Sequence, residues 1–293
     1  MILSTGIKVN FGLDILRKRP DGYHDIDTLF VPCNDFSDRL EIVPADEPSR
    51  LVFELPHMID QTATTHHYPD NACPPLVQEI SPDGKVMVTL YRPEGVDWDP
   101  MKDLTVKAYR LLEADFHLPS VKIVLEKGAP VGAGLGGGSA DAAAALHALN
   151  RLFDLHLSDE NLAAYAARLG SDCAFFIYNR PMLGRGRGEI LSDFDLGDFF
   201  ERYRIQVYVP EGVSISTAAA YAGVCPQVPA RSLEERLRQS VDSWRTDLVN
   251  AFEPGILAQY PALRDFKARI YADGALYASL SGSGSAFFGI FAR

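Results

Sequence analysis

The stretch PVGAGLGGGSADAAAALHAL, Pro130 to Leu149, sets glycines at 132, 134, 136, 137 and 138 directly ahead of an alanine-rich run. A backbone so bare of Cβ atoms can turn through left-handed conformations and pass close to another chain or a ligand. The alanine-rich run is a strong helix former, and Ser139 is its expected N-cap. The free N–H groups of a helix's first turn, at the positive end of its dipole, make such a junction a cradle for an anion such as phosphate. The blander reading, a flexible loop ahead of a core helix, stays open until partners are found elsewhere in the chain.

Spacing separates the kinds of phosphate loop. The P-loop pattern is excluded, because Gly138 is followed by Ser139 and Ala140 rather than by a lysine that could reach the outer phosphates. Gly132, Gly134 and Gly137 match G-x-G-x-x-G, but that dinucleotide fingerprint should directly follow a strand and be answered by an acidic residue after the next one. Lys127, Gly128 and Pro130 intervene after the apolar run VKIVL, and Asp154, in RLFDLHL, has no strand-like run before it. An anion loop of another class remains.

With 293 residues, 47% of them hydrophobic and 23% charged, the chain is expected to form one large or two smaller globular domains. The start, MILSTGIKVNFGL, lacks a basic segment followed by a sustained apolar one, and no eighteen apolar residues run together, so a cytoplasmic protein is expected. Cys33, Cys73, Cys173 and Cys225 form no CxxC pair, the pattern of reduced, mostly buried thiols. A net charge of −11 argues against a broad nucleic-acid or anionic-membrane surface. An anionic ligand then needs local cations, for which RKR (Arg17 to Arg19) and GRGRG (Arg185, Arg187) are available; ordinary solvated surface is the competing reading of each.

RLEIV, RLVFEL, KVMVTLY and VKIVLEK read as strands and MKDLTVKAYRLLEADF as a helix. After the glycine loop come helices from Ser139 to about Phe153 and from Ser158 to Leu169, the second stopped by Gly170, and then AFFIY as a strand. Beyond a soft boundary at Asp195 to Arg202, RIQVYVPEG reads as a strand, SLEERLRQSVDSW as helical, and ALYASL and AFFGIF as strands joined through SGSGS. Pro56 to Pro75 is polar and proline-punctuated, a long loop or insertion. Its His57, His66, His67 and Cys73 fit no standard metal spacing.

Four stretches carry candidate chemistry. In IKVNF, Lys8 and Asn10 alternate with apolar residues, so on a strand both share one face and can line a ligand wall. DGYH offers an aromatic ring and an imidazole on a turn, suited to a flat heterocycle. In LGSDCAFFIY, Asp172 follows a helix end; it is a turn former unless a cation such as Lys8 holds it ionised as a base. SLSGSGSAFFGIF is a second glycine loop or simply a hairpin, and two anion-capable loops in one chain point to a ligand with several phosphates.

Together these stretches resemble the superfamily of galactokinase, homoserine kinase, mevalonate kinase and phosphomevalonate kinase, the GHMP kinases. PVGAGLGGGSADAA is similar to its central ATP-phosphate motif and SLSGSGSAFFGIF to its C-terminal glycine motif. KVNFGLDILRKRPDGYHDIDTLF resembles the branch that phosphorylates the 2-hydroxyl of a cytidine diphosphate-linked methylerythritol in the non-mevalonate route to isoprenoid precursors. The likeness covers nearly the whole chain except the Pro56 to Pro75 insertion.

The resemblance implies an α+β fold of two domains, residues 1–195 and 196–293, with the active-site cleft between them, in a monomer or homodimer. It implies ATP as phosphoryl donor with Mg2+, Asp172 as the carboxylate that takes the hydroxyl proton, and Lys8 as its pairing cation. Asn10 would hold the methylerythritol end, His24 the cytosine edge, and Tyr23 and Tyr221 the two ring faces. Thr217, four residues before Tyr221, would project from the same helix face. Pro130, Gly132, Gly134, Leu135, Gly136, Gly137, Gly138 and Ser139 would bind the ATP phosphates, with Ser139 as the Mg2+ ligand, Lys127 and Asp103 elsewhere on the nucleotide, and Gly282, Ser283 and Gly284 as the second loop. Asp103 stands where asparagine is expected beside the adenine, and Ala140 where a second serine is common. Competing readings are another small-alcohol kinase of the superfamily, a dinucleotide-dependent oxidoreductase and a non-catalytic nucleotide-binding protein.

Overall fold

The computed structural model describes residues 1–55 and 73–293. His57, His66 and His67 lie outside the described residues, as does most of the expected insertion. The described chain is α+β and divides into two compact units interleaved along the sequence. One comprises Met1–Gly6, Phe36–Ala129 and Gly137–Tyr178, the other Ile7–Asp35, Pro130–Gly136 and Asn179–Arg293. Two long strands, β1 (Ile2–Lys18) and β2 (His24–Pro44), contribute residues to both.

In the first unit, β3 (Leu76–Ile80) pairs antiparallel with β4 (Val86–Tyr91), and β4 lies parallel to β5 (Val121–Glu126). The parallel pair requires a crossover, supplied by helix α2 (Leu104–Phe116), whose N-cap Asp103 accepts from the Thr105 amide. The end of β2 completes this part of the sheet, with Arg39 to Pro44 antiparallel to β5. Helices α3 (Gly137–Leu152), α4 (Asp159–Leu169) and α5 (Cys173–Tyr178) follow. The alanines of α3 form its buried face, Ala140, Ala142, Ala143 and Ala145 among them, which lets neighbouring backbones come close.

In the second unit, β1 is buried on both faces. Ile7, Val9, Phe11, Leu13 and Ile15 form one set, while Lys8, Asn10 and Asp14 are buried as well. Phe11 packs against Phe199, Trp244 and Phe288, with ring centroids 5.3, 5.4 and 5.4 Å away. A fully buried ring of that kind contributes about 2–3 kcal/mol. The start of β2 pairs with β6 (Met182–Gly186), and β6 with β7 (Ile190–Asp193). A second sheet has the order β8 (Tyr203–Tyr208), β10 (Phe287–Ala292), β9 (Tyr277–Leu280), all antiparallel. The expected C-terminal pair of strands joined through SGSGS is therefore present.

Several local expectations need correction. RLVFEL is not a strand but a short helix, α1 (Arg50–Glu54). Ser49 caps it by accepting from the Val52 amide, and Leu51 and Leu55, four apart, are its buried positions while Phe53 is exposed. AFFIY lies in helix α5 rather than a strand; a short run that is apolar all round has no period to tell the two apart. Ser139 does not cap α3, because the helix already begins at Gly137. Gly170 does end α4, but at φ −177° it is extended rather than left-handed. SLEERLRQSVDSW breaks into two helices, Leu233–Leu237 and Val241–Asp247. Of the free cysteines, Cys33 and Cys173 are buried and Cys73 and Cys225 exposed. Among the described residues no helix is long and apolar enough to cross a membrane.

Candidate active site

The polar face of β1 organises the second unit's part of the site. Lys8 Nζ donates to Asn10 Oδ1 at 2.7 Å and to the Gly134 carbonyl at 3.0 Å. Asn10 in turn donates through Nδ2 to Thr28 Oγ1 at 3.0 Å and accepts the Gly282 amide at 2.9 Å. The Phe30 ring lies 5.6 Å from Lys8 Nζ. With Lys8 3% and Asn10 1% exposed, these polar groups are sustained by hydrogen bonds rather than by water, as burial requires.

Through them the two glycine loops become one structure. The Gly134 carbonyl also accepts from Ser281 Oγ at 3.0 Å, the Lys8 amide donates to the Leu135 carbonyl at 2.8 Å, and the Ala286 amide donates to the Ala133 carbonyl at 3.1 Å. Asn250, fully buried, donates to the Leu280 and Gly282 carbonyls at 3.0 and 2.8 Å. Gly134 has φ +80°, and a Cβ there would lie 2.2 Å from the Ser281 oxygen. Gly132, φ +72°, faces open space, leaving that side of the first loop accessible.

The expected heterocycle residues lie in the same unit. His24 opens β2, and its ring is stacked on Tyr221 with centroids 4.8 Å apart and planes at 20°. Tyr221 belongs to α7 (Thr217–Ala222, counted after α6, Phe199–Arg202), and Thr217 on that helix shares a hydrogen bond of 3.0 Å with Ser283 of the second loop. The i, i+4 pair thus reaches both the imidazole and the glycine loop. Tyr23 is 53% exposed, with the Arg187 guanidinium 4.9 Å from its ring centre. The second arginine of GRGRG is therefore engaged with the DGYH turn.

An ionic cluster on the neighbouring strands sets a pH dependence. Asp27 Oδ1 is buried without a hydrogen bond, 3.6 Å from Arg185 Nε. Burial pushes its carboxyl up to about 6, against the pull of Arg185 and Arg236 and with the help of Asp14 and Glu234. A carboxyl whose folded pKa is raised costs nothing below its unfolded value. The folded state loses stability as pH rises from that value through about 6, and the full penalty persists above. Asp27→Asn is therefore expected to raise the melting temperature by about 2–4 °C at pH 7.5 and not at pH 4, which thermal melts at the two pH values will check.

The first unit carries the remaining candidates. Asp172 lies half-buried in the turn immediately before α5. The thiol of its neighbour Cys173 is pushed up to about 12 by burial and by the Asp172 charge, and a hydrogen bond with Ser139 opposes the rise. Ser139, in the first turn of α3, therefore sits beside the residue that follows Asp172. The oxygen donors here are a hydroxyl and a carboxylate, with the thiol kept protonated, a set that fits a hard ion such as Mg2+ rather than a soft one. Gly137 packs tightly, since a Cβ there would lie 3.3 Å from Ala129 Cβ, whereas Gly138 has room. The Asp103 carboxylate accepts from Trp98 Nε1 at 3.1 Å besides capping α2. The Lys127 ammonium group is buried and held by two carboxylates, Asp38 and Asp141.

Residues 103–180 match the GHMP kinases N terminal domain and residues 226–293 the GHMP kinases C terminal domain. A 4-diphosphocytidyl-2-C-methyl-D-erythritol kinase from Bacteroides fragilis is 40% identical over 99% of this chain and 92% of its own length. The chain belongs to this family of GHMP kinases. Another 4-diphosphocytidyl-2-C-methyl-D-erythritol kinase, from Azobacteroides pseudotrichonymphae, is 37% identical over 100% of this chain and 94% of its own. A crystal structure of a 4-(cytidine 5'-diphospho)-2C-methyl-D-erythritol kinase superposes with a TM-score of 0.69 at 29% identity, covering 99% of this chain and 89% of that one. As a GHMP kinase the chain takes its phosphoryl group from ATP.

Sequence reasoning missed Thr28, Ser281 and Asn250, which hold Asn10 and the second loop, and the buried acids Asp38 and Asp141 that hold Lys127. Ser281 lies inside SLSGSGSAFFGIF, the second glycine loop, so it stood within a noted motif. Asp141 carried a sharper signal, an acidic residue inside an alanine-rich helix face.

Proposed function

We propose that this kinase transfers the γ-phosphoryl group of ATP to the 2-hydroxyl of 4-diphosphocytidyl-2-C-methyl-D-erythritol, giving the 2-phosphate and ADP. The observation that carries the substrate is the Tyr221 ring stacked on His24, in the unit that also contains the linked glycine loops. A flat aromatic surface beside an imidazole suits a pyrimidine, whereas an aliphatic alcohol needs neither. We assign Tyr23 and Tyr221 to the faces of the cytosine, through the ring faces that Arg187 and His24 leave uncovered, and His24 to its hydrogen-bonding edge. The Asn10 amide is bonded to Lys8, Thr28 and Gly282 and keeps one Nδ2 hydrogen beyond those three bonds, so its part in holding the methylerythritol end includes fixing those neighbours. In this reading residues 1–195 are the N-terminal, ATP-binding domain and 196–293 the C-terminal one, a division along the sequence that the interleaved compact units do not follow.

In the reaction the substrate hydroxyl oxygen attacks the γ-phosphorus while the bond to the β,γ-bridging oxygen breaks. The hydroxyl proton passes to the Asp172 carboxylate, and the electron pair of the broken bond leaves with ADP. Lys8 steadies the negative charge, and the amides of the Gly132–Ser139 segment hold the phosphates. Mg2+, with Ser139 as its protein ligand, supplies charge neutralisation on the phosphate oxygens when bound. Because phosphoryl transfer has a loose transition state, position and charge matter more than the strength of the base.

The deciding assay incubates the purified protein with ATP, Mg2+ and, separately, the cytidine-linked alcohol, mevalonate, homoserine and galactose. ADP release is expected only with the first. Release only with one of the others overturns the substrate and leaves the kinase.

A further inference from the structure

We propose that Asp38, Lys127 and Asp141 are positioning residues that fix both ends of the central glycine loop and so set how tightly ATP is held, without touching it. The inference rests on the phosphate-binding role of that loop. All three side chains are buried, with Asp38 0%, Asp141 1% and Lys127 5% exposed. Lys127 Nζ donates to Asp38 Oδ2 and, at 2.6 Å, to Asp141 Oδ2. Its ammonium group is thus occupied, and it is not a cation offered to a phosphate.

The remaining oxygens do the positioning. Asp38 Oδ1 accepts the amides of both Gly128 and Ala129 at 2.7 Å, the last residues before the loop begins at Pro130. Asp141 lies one turn into α3, where the chain leaves the loop, and its Oδ1 accepts from Thr5 Oγ1 at 2.9 Å. Gly137, the first residue of α3, lies in contact range of the same groups, since an added Cβ would be 3.5 Å from Asp38 Oδ2 and 3.7 Å from Lys127 Nζ. Entry and exit of the loop therefore bear on one carboxylate–ammonium–carboxylate cluster. Charge by itself is a poor reason to bury such a cluster, because well-packed apolar residues stabilise a fold as well or better. What apolar residues cannot do is accept two successive backbone amides and fix their direction, and charged acceptors do this most strongly. Glycine-rich backbone has much freedom to lose, so fixing its ends is what keeps its amides convergent.

The test compares Asp38→Ala with Asp38→Asn, which retains an oxygen for the two amides, and with Gly132→Ala inside the loop. In Asp38→Ala the KM for ATP is expected to rise about tenfold or more, with kcat at saturating ATP and the KM for the alcohol within about threefold of the starting protein. Asp38→Asn is expected to recover most of the loss. A merely structural role would lower the melting temperature and the active fraction but not move the KM for ATP. If Asp38→Ala does not fold, Asp141→Asn is held to the same criterion. An unchanged KM for ATP in the folded variants overturns the inference, and if Gly132→Ala raises it in the same series the loop's phosphate role stands alone. If Gly132→Ala also leaves it unchanged, the phosphate role fails and the inference with it.

Discussion

Asp172→Asn is expected to lower kcat by about 10²-fold or more, the lower part of what a positioned proton acceptor contributes. The amide keeps the shape of the side chain in the turn before α5 but cannot take the hydroxyl proton. ATP affinity should change much less, because the phosphate amides belong to the glycine loop and not to this turn. Steady-state rates on protein whose circular dichroism and melting temperature match the parent will decide. Near-normal turnover would remove Asp172 from the mechanism.

Gly134→Ala is expected to cost activity on a similar scale, through geometry rather than chemistry. The new Cβ would lie 2.2 Å from the Ser281 oxygen and 3.0 and 3.1 Å from the nitrogen and oxygen of Gly284, all backbone atoms that cannot swing aside. The left-handed φ of +80° adds strain for any residue with a Cβ. To accept alanine the two loops must separate by roughly an ångström, and a displacement of about 1 Å can cost about 10²-fold in rate. The Gly134 carbonyl would then lose its bonds from Lys8 and Ser281. Both a lower melting temperature and a raised KM for ATP are expected, measurable by thermal melts and initial rates. A variant with parental values for both would show that the loops do not depend on this contact.

Legibility in the sequence followed the range of the interactions. The alternation of Lys8 and Asn10 put both on one face of a strand, and the first of the two does bond the second, because a strand's period is a local property. The i, i+4 spacing of Thr217 and Tyr221 worked for the same reason. RLVFEL and AFFIY misled, since a few apolar residues satisfy a strand and a buried helix alike; Ser49 as a cap and the packing around α5 settled those segments. Ser139 reads as a cap because glycines rarely open a helix on propensity alone, yet Gly137 begins α3, where an added Cβ would lie 3.3 Å from Ala129 Cβ.

The sequence by itself determined the class of chemistry: two glycine runs that admit positive φ, a strand with a polar face, an aromatic–imidazole turn and an acid ahead of a short apolar run. These are properties of residues and of their near neighbours. Only the tertiary structure decided that Gly134 meets Ser281 and Lys8, that Asn250 anchors the second loop, and that Lys127 is enclosed by Asp38 and Asp141. Each of those contacts joins positions distant in the chain, where no local propensity acts and where burial alone makes a hydrogen bond obligatory.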